Sequence, residues 1–176
     1  MSTASAGLAK KNGYSNGRCY LDGEPAWMED RLPTYSTKEF SLDGNVVLTD
    51  IRPREEAMAG RIKGAYSVPY EELEDKLDDV PRNAPIVIYG NEEVMDAVND
   101  VRDMDFNFVS LVRDGYDGWV KSGGEVDKGP IFRTETQWVR KLGKGEISEA
   151  DLRKAVLGQD KDAVVIDSRP QDAIDA

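Results

Sequence analysis

Histidine is absent from the chain and cysteine occurs once, at position 19. The commonest general base and metal ligand is therefore missing, and neither an internal disulfide nor a cysteine-rich zinc site can form. Any chemistry has to come from carboxylates, hydroxyls or Cys19. No apolar run approaches the roughly 20 residues that span a bilayer, and residues 1–11 lack the apolar stretch of a secretory leader. An excess of positive charge is also lacking. The 34 acidic residues outnumber the 23 basic ones for a formal net charge of -11, spread along the chain and not gathered in a tail. Such a field repels phosphate backbones and anionic membrane surfaces, so neither nucleic acid nor membrane is expected as a partner.

What is present is a soluble globular balance, 39% hydrophobic and 32% charged, in 176 residues. That length suits one ordinary domain with appendages. The compartment is left open between cytoplasm and periplasm.

Three short apolar segments rich in β-branched residues, 46–49, 86–89 and 108–112, read as buried parallel strands. Between the second and third, Val94, Ala97, Val98, Val101 and Met104 recur at helical spacing with acids between them. Pro53 is placed to open a short helix through Met58, Gly60 to end it, residues 66–68 to form a further strand, and Leu73 and Leu77 to mark another helix. Alternating β and α units predict a parallel α/β sheet. Thr134 with Gln137 forms a capping-box pattern before Trp138, Val139 and Leu142, with Gly143 as a stop, and Ser148 with Asp151 forms a second, ending at Gly158. A helical connector is expected there. A helix-turn-helix DNA reader is the alternative that the charge balance opposes.

The sequence repeats itself. Asp22-Gly23-Glu24-Pro25-Ala26-Trp27 matches Asp114-Gly115-Tyr116-Asp117-Gly118-Trp119, and Val47-Leu48-Thr49-Asp50-Ile51-Arg52-Pro53 matches Val165-Ile166-Asp167-Ser168-Arg169-Pro170. The first match repeats the end of a unit and the second its beginning.

These residues carry a resemblance to the rhodanese, or sulfurtransferase, family. An apolar strand into Asp50-Ile51-Arg52, then Gly60-Arg61-Ile62-Lys63-Gly64-Ala65, then the strand Ile86-Val87-Ile88-Tyr89 into Gly90, then the tryptophan turn ending at Trp119 follow the family's order and spacing. The resemblance implies an α/β fold with a five-stranded parallel sheet flanked by helices. In active members it implies a cysteine, on a loop at a helix N-terminus, that carries sulfane sulfur as a persulfide. It divides the chain into a C-terminal fragment of one rhodanese-like unit at 1–35, a complete domain at 36–128, a helical connector at 129–161 and the start of a further unit at 162–176.

The departure lies in the loop. Gly90 stands where the family has its cysteine, and Asn91, Glu92, Glu93, Val94 and Met95 follow with no Gly-x-Arg ending and about two residues fewer than the resemblance leads one to expect. Asn91 reads as a helix N-cap, and Glu92 and Glu93 as first-turn carboxylates that satisfy the helix dipole and repel thiosulfate or phosphate. The anion cradle is expected to be collapsed. No nucleophile stands where activation would occur, and a phosphatase reading fails for want of cysteine and arginine.

Other residues are weighed singly. Cys19 reads as a strand residue leading into the first tryptophan turn, with a reactive thiol beside Arg18 as the alternative. Asp50 and Arg52 read as fixing the chain path more readily than as an acid and an anion ligand. Arg61, where many members have histidine, lines the pocket entrance or is simply solvated. Trp27 and Trp119 read as turn anchors. The acids Glu71, Glu72, Glu74, Asp75, Asp78 and Asp79 read as a solvated helix face, since they form no calcium-loop pattern.

The resulting expectation is a catalytically inactive rhodanese-like module in a multi-rhodanese protein, with a structural, regulatory or partner-binding role and neither cofactor nor metal. The alternative is a supporting part of a thiosulfate or persulfide sulfurtransferase whose catalytic cysteine lies outside the chain. Expected partners are neighbouring rhodanese-like domains or another copy of the chain, including a homodimer. Leu21, Trp27 and Val165 are apolar enough to favour packing or dimerisation of the partial units.

Overall fold

The computed structural model describes residues 2–19, 22–160 and 162–164. It divides into two compact units, residues 1–139 and 140–176. The elements of the first are α1 (Ser2–Lys11), α2 (Gly23–Glu29), β1 (Tyr35–Ser36), α3 (Lys38–Asp43), β2 (Val47–Asp50), α4 (Arg54–Ala59), β3 (Arg61–Ile62), β4 (Tyr66–Ser67), α5 (Leu73–Leu77), β5 (Ile86–Tyr89), α6 (Val94–Asp103), β6 (Val109–Val112), α7 (Gly115–Lys121) and β7 (Val126–Asp127).

Five strands pair in the order β1-β6-β5-β2-β4, all parallel. A strand buried on both faces needs apolar side chains at every position, which is why 86–89 is legible as an unbroken apolar run. Successive side chains alternate between the two faces. Ile86 and Ile88 join Val47, Leu73, Leu77 and the α6 residues Ala97, Val98 and Val101 in one core layer, while Val87 and Tyr89 join Leu48, Ile62, Val112 and Trp119 in the other. The helical spacing of 97, 98 and 101 thus places one apolar stripe of α6 on the sheet. Full burial of each such aliphatic side chain stabilises the fold by about 1.5–3 kcal/mol. Pro53 precedes α4 and Gly60 caps it, as the sequence indicates.

The two tryptophan segments make the same backbone bonds. Asp30, Arg31 and Leu32 donate to the carbonyls of Ala26, Met28 and Trp27, and Ser122, Gly123 and Gly124 donate to those of Gly118, Val120 and Trp119. The left-handed residue that reverses the chain is Arg31 in one (φ 52°) and Gly123 in the other (φ 72°). Each indole N–H donates to a carbonyl six residues on, Trp27 to Pro33 and Trp119 to Glu125. The first turn docks on α6: Arg31 pairs with Asp103 at 2.8 Å, and Arg102 donates to the Leu32 carbonyl. The chain then enters the sheet edge, where the Leu111 N–H donates to Thr34. The expected boundary at 35/36 consequently falls inside β1. The repeat partner at 165–170 lies outside the described residues, as does Leu21.

Of the two helix signals in residues 129–161, the one at Thr134 does not yield a helix. Residues 131–143 are irregular, and those up to Val139 belong to the first unit. Ser67 of the edge strand β4 donates its N–H to the Arg133 carbonyl at 2.8 Å, the Tyr66 hydroxyl donates to Gln137, and the Arg133 guanidinium lies over the Tyr66 ring. Thr136 bonds to the Lys76 carbonyl, the Trp138 indole donates to Asn45 at 2.7 Å, and Trp138 packs against the core. These contacts exist only with the chain extended, and they outweigh a capping signal worth about 1 kcal/mol. In the second unit the Ser148 signal does produce a helix, α8 (Glu149–Val156), with the Ser148 hydroxyl accepting from the Asp151 N–H and Gly158 in the left-handed region.

Trp138→Ala is expected to lower stability by about 2 kcal/mol. In hydrogen exchange the Ser67 amide should then lose protection while residues 86–89 keep theirs.

Candidate functional site

Strand order reverses between β2 and β5, and the crevice outside the carboxyl ends of parallel strands at such a point is where ligands of open α/β sheets sit. A cavity of about 480 Å³ opens there, lined by Tyr35, Arg52, Glu56, Tyr89, Gly90, Asn91, Val94, Met95, Leu111, Val112, Asp114, Gly115, Tyr116 and Asp117. Of the loop after β5, Gly90, Asn91, Val94 and Met95 line this cavity.

The end of β2 supplies its firmest element. Asp50 is fully buried and Arg52 nearly so. The Arg52 Nε and Nη2 donate to the two Asp50 carboxylate oxygens at 2.9 and 2.6 Å, and the Arg52 backbone N–H donates to the same carboxylate. Nη2 also donates to the Gly60 carbonyl at 2.8 Å, and the guanidinium lies 4.3 Å from the Tyr116 ring centre. Burial pulls the Arg52 guanidinium down, and the Asp50 carboxylate outweighs it, so its pKa stands above the ordinary value. Burial, followed by the Asp50 charge, pushes the Tyr89 hydroxyl far up, so it stays protonated and accepts from the Ile62 N–H. A Cβ at Gly60 would run into the Tyr116 hydroxyl, so a larger residue there would have to displace the ring stacked on Arg52.

Gly90 ends β5. A Cβ at this position would collide with the side chain of Ile51, the residue between Asp50 and Arg52. The space in which a nucleophilic side chain would begin is thus occupied from the neighbouring strand. Asn91 does not cap α6. Its side-chain amide donates to both Glu56 carboxylate oxygens at 3.2 and 3.3 Å. The cap position belongs to Glu93, which makes no side-chain capping bond, and Glu92 stands in the turn before it. Both are exposed, and because α6 begins at Val94 these carboxylates precede its first turn. Val94 and Met95 form an apolar wall of the cavity.

Arg61 neither lines the cavity nor is solvated. It is buried, and its guanidinium donates to the carbonyls of Ala57, Gly129 and Pro130, fixing the path of the chain that leaves β7. Cys19 is half-buried in irregular chain, not in a strand, and lines a different hollow beside α1 and Trp27. In the acidic run, Leu73 and Leu77 are buried, Glu72 pairs with Arg54 at 2.6 Å and Arg82 with Asp78. Among the lining residues that sequence reasoning did not assign to a site are Tyr35, Glu56, Tyr89, Leu111, Val112, Asp114, Gly115, Tyr116 and Asp117. Asp114, Gly115, Tyr116 and Asp117 had a signal, since they lie inside the tryptophan-turn motif.

Removing one charge of the buried pair leaves the other uncompensated. Arg52→Met should lower unfolding free energy by about 3–5 kcal/mol, and adding Asp50→Leu should recover part of that loss, as measured by urea denaturation.

The rhodanese-like domain family matches residues 36–122. An HTH-type transcriptional regulator of Mycobacterium tuberculosis is 41% identical over 90 residues, which are 49% of this chain and 39% of that protein. The chain thus spans about two-fifths of the length of this curated relative. Among solved structures, a rhodanese-like domain of an Anabaena protein is 29% identical with a TM-score of 0.47, covering 49% of this chain and 96% of that one. A human single-domain sulfurtransferase is 25% identical with a TM-score of 0.46, covering 51% and 96%.

Proposed function

Starting from a chain whose residues 36–122 are a rhodanese-like domain with no cysteine in its active-site loop, we propose that this domain performs no sulfur transfer and serves as a structural, regulatory or partner-binding module of a longer, multi-domain protein. The observation that carries the reading is the approach of Ile51 to Gly90. A persulfide carrier needs a side chain at the helix N-terminus where backbone N–H groups stabilise a thiolate. Here the position has no side chain, and a first carbon would have to displace the side chain of Ile51. Cys19 does not line the cleft, so it is not a displaced substitute.

Two further observations support a role in recognition. The matching stretch of the Mycobacterium tuberculosis protein occupies 39% of a chain whose name is regulatory and not catalytic. The net charge of -11 opposes direct contact of this chain with nucleic acid, so its partner is more readily a protein, including neighbouring rhodanese-like units. The repeated geometry of the two tryptophan turns favours such a tandem origin. A second reading is that the domain supports a sulfurtransferase whose cysteine lies in another unit. It rests on the same repeat, and a cysteine loop after an apolar strand in the parent sequence would favour it.

The chain is expected to give background rates in a thiosulfate-to-cyanide assay, unchanged by Cys19→Ser. Gly90→Cys alone should add no activity and should lower stability by about 1–3 kcal/mol through overpacking. Turnover clearly above background, lost on substituting Cys19, would overturn the reading.

A further inference from the structure

Residues 131–139 are held entirely from outside themselves. Among the described residues no hydrogen bond joins two members of this segment, and each bond they make goes to the body of the domain. The Arg133 carbonyl accepts from Ser67 on the edge strand β4, the Gln137 carbonyl accepts from Tyr66, and Glu135 pairs with Lys76. Asn45 clamps the far end: its backbone carbonyl accepts from the Trp138 indole, and its side-chain amide donates to the Val139 carbonyl at 2.8 Å. A seat of this kind fits the same segment of a second copy as well as it fits the chain's own.

Three features of the segment favour exchange. The chain enters it through Gly129, in the left-handed region at φ 85°, and Pro130, and Arg61 holds both carbonyls, so the point about which the segment would swing is fixed. Just beyond, Phe132 is 87% exposed, more than any other large apolar side chain among the described residues. The segment carries one arginine and one glutamate, so its own charge does not repel it from a second chain of net charge -11. We propose that the chain forms an exchanged dimer, in which residues 131–139 of each copy occupy the β4 edge of the other. Every bond of the seat is kept in the dimer. The two entering segments cross, and their Phe132 side chains are covered where they meet. Exchange does not involve position 90, so the sulfur-transfer assay neither supports nor opposes it.

The test uses two full-length chains, both Cys19→Ser, one carrying Lys76→Cys and the other Glu135→Cys. Loss of this partly exposed ion pair costs little stability, and the Lys76 carbonyl that Thr136 bonds remains. The chains are unfolded together in urea, refolded at about 0.5 mM, where weak dimers assemble, and treated with a short bis-maleimide. A covalent heterodimer on a denaturing gel is expected, with a dimer mass by light scattering before treatment. Trp138→Ala in the chain carrying Glu135→Cys removes the anchor and should lower the linked fraction about tenfold. Pairing Glu135→Cys with Glu92→Cys measures chance collision, and one chain carrying both Lys76→Cys and Glu135→Cys should link internally when refolded dilute. Three results would overturn the proposal: linkage no greater than that of the Glu92→Cys pair, linkage undiminished by Trp138→Ala, or no internal linkage in the doubly substituted chain.

Discussion

The buried pair between Asp50 and Arg52 is the interaction on which the rest of the domain is arranged. Two charges removed from water are tolerated only when every lone pair and proton they carry finds a partner. The partners come from separate parts of the chain: the Gly60 carbonyl at the end of α4, the Tyr116 face on α7, and Tyr89 at the end of β5, whose ring also faces the guanidinium. Satisfying one ion pair therefore fixes the ends of two strands and two helices at the point where strand order reverses. The same segment sends Ile51 across to Gly90, so the scaffold that stabilises the fold also fills the position a nucleophile would need.

Much of this was legible in the sequence because local and tertiary forces agree. Residues 86–89 form a continuous apolar run and become the central strand, while 97, 98 and 101 repeat at helical spacing and pack on it. Ser148 caps α8 as its pattern indicates, and Gly158 takes the left-handed conformation that ends it. The order of the four motifs around Asp50, Gly60, Gly90 and Trp119 was enough to name the fold.

The failures have a common cause. Thr134, Asn91 and Arg61 each carry a plausible local role that a distant group overrides. Extended chain after Thr134 is held by Tyr66, Asn45 and Lys76, Asn91 turns to Glu56 on a different helix, and Arg61 reaches carbonyls 68 and 69 residues away. Pairings of that separation leave no periodicity to read. The cleft's rim is of the same kind, since Glu56 and Asp117 become neighbours of one cavity only after the sheet has formed.

The extended stretch that follows β7 changes what counts as the end of the domain. The strand β4 has β2 on one side only, and an uncovered edge of this sort is a template for pairing with other chains. Bonding of Ser67 to Arg133 and of the Tyr66 hydroxyl to Gln137 occupies that edge. A domain cut at residue 128, just past the last strand, would keep its whole sheet and yet leave it open at one side. Such a fragment should associate through β4 in a way that one ending at Val139 does not.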